Sequence, residues 1–419
     1  MIVALLSSVF NFLKNWRPIA IFAMSIAGKA LSFILAILLG NNLNTEEFGE
    51  FNQVMATLMA ALPFYIAGLD RYIIRDMHRF KGSAFNEFLS VIAGNFVVNA
   101  LVLSTGIAVF QFFWIGSGGF APLTVMFLCG IRALTIVFGS LFVAAGWPIL
   151  SRVVSEVLFP AGGILIFLCV YKTRNTHLEP ALLMLYSGVL SLIICFVLGI
   201  KYKFKLSTLT PSLGTYLSCI SISVALIPMS IFPAILPILI GTFDFEAPEL
   251  VSPIRTQISL VLIGNMVVTS IGFYQIRKYN KLIASSNNYE LILCVLKSVG
   301  ASILIGFPIC IVYYLWAENI LELFRPGYSG YASGLRVLVI GMFIGLVFGN
   351  LSTPLMLIRG HRFIGYSWLF ASVLLIILYF IQDLHQIIYL SAAYTISSAV
   401  GYILISAVFF YVILKKRIP

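Results

Sequence analysis

The stretch MSIAGKALSFILAILLG, residues 24–40, is apolar or small at every position except Lys29. An α-helix needs about 20 mostly apolar residues to cross a hydrocarbon core of about 30 Å, so the run reads as most of one membrane span. It carries one fixed positive charge. At the centre of a bilayer such a charge costs roughly 2.5–3.5 kcal/mol on insertion scales, and residues that carry it face a bundle interior or a wet cavity. Lys29 therefore requires a partner, either an acid of the chain or an anionic ligand.

The rest of the chain has the same character. Of 419 residues 61% are hydrophobic and 10% charged, and the mean hydropathy is +1.05. Soluble domains of ordinary composition carry about 25% charged residues, so this is a polytopic membrane protein. The net charge of +11 is not read as a nucleic-acid footprint, because in a membrane protein the sign of each loop reports orientation. Cys129, Cys169, Cys195, Cys219, Cys294 and Cys310 lie in or beside apolar runs without a C-x-x-C pair. They predict neither a disulfide framework nor a zinc site. His78, His177, His361 and His385 fall in short polar connections. No metal or cofactor is expected, and the first apolar stretch lacks a small-x-small cleavage site, so no cleavable signal peptide is expected either.

A 20-residue window gives twelve spans: 18–40, 51–69, 88–114, 122–145, 151–171, 181–200, 213–240, 253–275, 291–316, 334–358, 363–381 and 387–413. One alternate set of connections and termini holds eighteen of the 26 Lys and Arg residues, from Lys14 and Arg17 to Lys415, Lys416 and Arg417. The opposite set holds Lys172, Arg174, Arg255 and Arg325 beside acids such as Glu46, Glu47, Asp244 and Glu249. Positive residues are retained on the cytoplasmic side, which places both termini there. Reporter fusions at Gly118, Glu179, Glu246 and Asp383 are expected to report the outer side, and fusions at Lys81, Lys203 and Lys416 the cytoplasm. An inverted pattern in either group rejects this topology.

The basic linker KYKFKLSTLTPSLG, residues 201–214, divides the chain into halves of six spans, expected as residues 1–206 and 207–419. An apolar helix end, a glycine and an acidic loop follow both the first span (Gly40) and the seventh (Gly241). Two such repeats are a common plan among secondary transporters. The remaining four cations, Lys29, Arg132, Lys297 and Arg336, fall inside spans. Lys29 and Arg132 lie about eleven residues, or about 16 Å, from a span end. Lys297 and Arg336 lie within two turns of an end, where snorkelling to the interface accounts for them, and Arg255 is interfacial by depth. Glu156, one turn after Arg152, pairs with it by default, although it is also the acid that could neutralise Lys29. Asn95, Asn99, Asn265, Asn350, Gln53 and Tyr394 are the neutral polar groups inside spans, read mainly as interhelical hydrogen-bonding residues. Pro228, Pro233 and Pro237 crowd the seventh span, each removing a backbone hydrogen bond, so a bent element is expected there.

Several short motifs, taken together, resemble the Wzx-type O-antigen and polysaccharide flippases, a family of the superfamily that also contains MATE multidrug exporters and the lipid II flippase. They are Leu39-Gly40 followed by Glu47-Phe48-Gly49, GLDRYIIRD at 68–76, and LFRPGYSGYASGLRVL at 323–338. SPIRTQISLVLIGN, residues 252–265, is similar to the lipid II flippases and places Arg255 on their eighth-span cavity cation, whereas Lys29 corresponds to their first-span cations by helix and role only. The resemblance implies a V-shaped pair of six-helix bundles in the bacterial inner membrane. Its implied cargo is an undecaprenyl-pyrophosphate-linked oligosaccharide, moved to the outer leaflet by alternating access, with a polysaccharide polymerase and chain-length regulator as partners.

Such a headgroup carries about two negative charges and a hydroxyl-rich glycan, neither of which enters hydrocarbon unaided. The expected substrate-binding residues are Lys29, Arg132, Arg255, Arg71 and Lys297, with Pro228, Pro233 and Pro237 as the hinge. A multidrug or cation antiporter of the same fold is the first alternative, but it calls for mid-span carboxylates, and Glu156 is the one acid well inside a span. A membrane polymerase is the second. Its catalytic groups need a large external loop, and the longest external connection, about 317–333, is short. The chain is therefore read as a transporter and not as an enzyme.

Overall fold

The computed structural model describes residues 16–43, 45–76, 83–114, 122–171, 180–201, 212–243, 250–358, 360–381 and 386–414. Its elements are helical throughout. They are α1 (Trp16–Asn42), α2 (Thr45–Ile66), α3 (Leu69–Asp76), α4 (Ser83–Trp114) and α5 (Pro122–Ala144). Next, α6 runs through Pro148–Arg152, Val153–Val157, Leu158–Ile166 and Phe167–Tyr171, the second and fourth pieces being π-helical turns. The chain continues with α7 (Pro180–Lys201), α8 (Leu213–Phe243), α9 (Val251–Ala284), α10 (Asn288–Leu315), α11 (Ala317–Phe324), α12 (Ala332–Phe348), α13 (His361–Ile381) and α14 (Ile387–Leu414). All twelve expected spans fall on these helices. Among the described residues nine helical runs are long and apolar enough to cross a membrane.

Two compact units are formed, Ala27–Ser230 and Ile231–Pro419 together with the chain before Ala27. The division falls inside α8, at Ser230–Ile231, between Pro228 and Pro233. The helical assignment of α8 is nonetheless continuous across its three prolines.

Large apolar side chains lie on the outside of the bundles as well as inside, as a lipid solvent permits: Phe127 and Leu101 are both 64% exposed. With no hydrophobic drive between helices in lipid, close backbone approach at small residues and interhelical hydrogen bonds supply the association. In the Ala27–Ser230 unit α6 shows this on three sides. A Cβ on Gly28 of α1 would sit 2.8 Å from the Glu156 carbonyl carbon and oxygen. One on Gly139 of α5 would meet Ser155 Cβ at 3.2 Å, and one on Gly162 of α6 itself would meet Ser187 Oγ of α7 at 2.9 Å.

The expected polar residues serve the same end where they are described. Asn99 Nδ2 donates to the Phe64 and Tyr65 carbonyls at 2.6 and 2.7 Å, tying α4 to α2. In the other unit Asn350 Nδ2 donates to Ser302 Oγ at 2.9 Å, reaching α10 from the turn after α12. The side chains of Gln53 and Asn265 lie outside the described ones. Phe232, Trp368, Tyr394 and Tyr402 form an aromatic cluster there with centroids 4.8–5.1 Å apart for the contacting pairs.

Candidate functional site

Three charged residues of the Ala27–Ser230 unit, Arg132, Arg152 and Glu156, gather around one turn of α6. Arg132 projects from α5. Its Nη1 donates to Thr135 Oγ1 at 3.3 Å, its Nη2 donates to the Ser155 carbonyl, and the guanidinium lies 4.7 Å from the centroid of the Phe159 ring. All three holders are neutral. Glu156 follows Ser155 in the π-helical turn Val153–Val157, and Arg152 Nη1 donates to its Oε1. Glu156 Oε2 is buried and makes no hydrogen bond. Lys29 is half-buried on α1, next to Gly28, the residue that seats on the Glu156 backbone.

The π turn explains part of this geometry. Its i→i+5 pattern widens the helix and redirects carbonyls from the regular ladder. Here the Ser155 carbonyl serves as an acceptor for Arg132, one helix away. A guanidinium fork can bridge two acceptors in one plane while stacking on a ring, which an ammonium cannot do. The arrangement brings two basic side chains, from α5 and α6, to one carboxylate.

The expected site residues thus divide. Arg132 belongs to the cluster at Glu156, and Lys29 lies on α1 directly after Gly28, which meets the Glu156 backbone. Arg71 lies on α3 of the same unit, its side chain outside the described ones. Arg255, 9% exposed on the second turn of α9, and Lys297, half-buried on α10, belong to the other unit. Arg336 pairs with an acid of the chain, its Nη2 donating to Glu318 Oε1 at 2.9 Å on the short helix α11. Beyond the spans, Glu322 accepts N–H bonds from Gly327 and Ser329. The side-chain hydrogen bond to Ser329 and these backbone donors hold its carboxyl below the usual carboxylate range.

Arg152 is the functional candidate that the sequence reading paired with Glu156 but did not place among the site residues. The signal was its i,i+4 spacing to the one acid inside a span. Gln257 was also missed: it is fully buried on α9, donates Nε2 to the Tyr331 carbonyl at 2.8 Å and leaves Oε1 without a partner, as does Ser391 Oγ on α14.

A cavity of about 340 Å³ opens among α2, α5 and the first half of α8. Met59, Leu62, Leu226 and Met229 give it apolar walls, and Asp70, Ser223 and Ser230 are its polar members. None of Lys29, Arg132, Arg152 or Glu156 lines it. Among the described residues no three His, Cys, Asp or Glu side chains converge in a way that could hold a metal ion.

Comparison with solved structures identifies the architecture. An inward-facing MATE family multidrug resistance transporter of the MOP superfamily superposes with a TM-score of 0.71 at 16% identity, covering 96% of this chain and 99% of the other. The chain has the MATE fold. A second MATE crystal structure, in complex with MaD3S, gives 0.70 at 16% identity over 96% of this chain and 95% of that one. A MOP superfamily transporter from Pyrococcus furiosus, described as having a binding pocket of reverse polarity that suggests a different function, gives 0.69 at 15% identity over 96% of both chains. No protein-family model matches the chain, and no curated protein matches it significantly. The MATE fold bears out the expected all-helical architecture, whereas the flippase resemblance finds no named counterpart among these matches.

Proposed function

We propose that this MATE-fold transporter carries an anionic, lipid-linked cargo, an undecaprenyl-pyrophosphate-linked oligosaccharide, across the bacterial inner membrane by alternating access. The observation that supports this reading is the sign of the embedded charge: Arg152 and Arg132 stand at a single acid, Glu156, and Lys29 follows Gly28 on α1, all on helices long and apolar enough to cross a membrane. Arginine's planar fork suits phosphate oxygens and lysine serves as a point charge beside it. In the other unit Arg255 is a second buried cation within a span. The polymerase and chain-length regulator of the same polysaccharide are the partners this reading implies. Pro228 and Pro233, which flank the division between the compact units, together with Pro237, are the proposed hinge.

Export of cationic drugs is the second reading, favoured by the names of the solved neighbours. A site for a cation calls for an excess of embedded carboxylate, and the cluster has the opposite balance. The two readings separate on deletion of the gene. The flippase reading expects undecaprenyl-linked repeat units to accumulate on the cytoplasmic leaflet, with loss of surface polysaccharide. Unchanged lipid-linked intermediates together with raised susceptibility to cationic drugs would reject it in favour of drug export.

A further inference from the structure

Glu156 stands where an anionic ligand of the cluster would stand. Its Oε1 takes the Arg152 guanidinium, and Arg132 reaches the carbonyl of the preceding residue, Ser155, its own holders, Thr135, Ser155 and the Phe159 ring, being all neutral. The charged groups that face it are Arg152 from its own helix and Arg132 from α5, and α1 meets it at Gly28, beside Lys29. Yet the carboxylate is imperfectly satisfied, because Oε2 is buried without a donor. The side chains of Arg152 and Glu156 keep 16% and 18% of their exposure, so neither is sealed from an incoming ligand. Carboxylate and phosphate are matched by the same guanidinium fork, and a phosphate brings more oxygens than Glu156 offers.

We propose that Glu156 is an internal stand-in for the cargo's phosphate: it holds Arg152 while the site is empty and is displaced from it when the anion binds. The inference rests on the anionic-cargo reading above and adds a role for the acid that reading leaves unexplained. An empty site lined by uncompensated guanidinium groups would be costly to carry through a conformational change in a low-dielectric medium. With Glu156 on Arg152 the empty carrier returns with less uncompensated charge. When phosphate takes Arg152, the loaded carrier is compensated by its cargo instead.

The test is calorimetric binding of inorganic pyrophosphate to the purified full-length protein, with folding checked by thermal unfolding in detergent. Removing an internal competitor raises affinity, so Glu156→Gln is expected to bind pyrophosphate about tenfold more tightly than the natural sequence while supporting less surface polysaccharide at equal expression. Tighter binding with slower turnover is a split that loss of a merely structural ion pair does not produce. Glu156→Asp keeps the charge but shortens its reach by one methylene. It covers the case in which glutamine destabilises the fold, and is expected to bind about threefold more tightly. Unchanged or weakened binding in the folded variants, with Arg132→Gln still lowering affinity, overturns the stand-in role and leaves the anionic-cargo reading intact. Absence of pyrophosphate binding in the natural sequence and in every variant overturns both.

Discussion

Replacing Gly68 by valine is expected to leave almost no folded protein in the membrane. Gly68 has φ +74° in the turn between α2 and α3, directly after Ala67, whose φ is also positive at 47°. The left-handed region costs a residue with a Cβ about 1–2 kcal/mol. The larger effect is steric: a Cβ at Gly68 would sit 2.5 Å from the Cys219 carbonyl oxygen and 3.1 Å from the Ser223 amide nitrogen. Both are backbone atoms of α8, so no side chain can rotate out of the way. The helix or the turn must move, and the Ser223 hydroxyl that donates to the Pro63 carbonyl at 3.3 Å moves with it. Together these effects are expected to exceed about 4 kcal/mol, a large share of the roughly 5–15 kcal/mol that separates folded from unfolded proteins. Gly146 is the internal control. Its φ is +91°, yet a Cβ there meets nothing within 4 Å, so Gly146→Val should show the conformational penalty alone. Detergent-solubilised yield and thermal midpoint, measured side by side, decide the matter. Similar losses at the two positions would show that the approach to α8 is not what matters at Gly68.

Substitution of the embedded cations is expected to have the largest effect on transport. Arg132→Gln should reduce complementation of surface polysaccharide at least tenfold at equal expression, and Arg132→Lys should recover little of it. The lysine cannot hold Thr135 Oγ1, the Ser155 carbonyl and the Phe159 face together as the guanidinium does. Lys29 should behave differently, because its contribution is a point charge. Lys29→Arg is expected to keep much of the activity, whereas Lys29→Ala and Lys29→Gln lose most of it. The competing account, that Lys29 exists to neutralise Glu156, predicts recovery in the double variant Lys29→Ala with Glu156→Ala. The structure gives Glu156 another partner in Arg152, so that double variant is expected to remain inactive. Full recovery of protein level and transport would remove Lys29 from the cargo site.

The parts of this protein that were legible in the sequence are those set by the thickness of a bilayer. The twelve apolar windows overlap helices, nine of them in runs long and apolar enough to cross a membrane among the described residues, because a helix crossing hydrocarbon must satisfy its backbone internally, and length and composition alone then mark it. Spacing along one helix was also legible, as the Arg152–Glu156 pair shows. What could not be read was convergence between helices. Nothing in VVSEV announces a π-helical turn, since widening the ladder at Ser155 is coupled to Arg132 arriving from α5. The seating of Gly28 on Glu156 is likewise a property of two helices, and a glycine in a membrane span is too common to reveal its neighbour. Gln257 carries no signal of its own in the sequence, and its unpaired Oε1 becomes visible only once Tyr331 is seen to occupy its amide.

The glycine contacts around α6 also bear on how a binding event would be felt. Gly28, Gly139 and Gly162 bring α1, α5 and α7 against this helix, Gly28 onto the Glu156 backbone and the other two onto the short side chains of Ser155 and Ser187. Leucine-rich interfaces can absorb a displacement by changing rotamers, whereas a backbone or a serine in such a contact has little to yield. This helix therefore behaves as a stiff strut clasped on three sides, and it carries the charged turn in its middle. A shift there of a few tenths of an ångström has no cushion in which to be lost. It is passed to three neighbours at once, so the charge cluster and the bundle around it form one mechanical element.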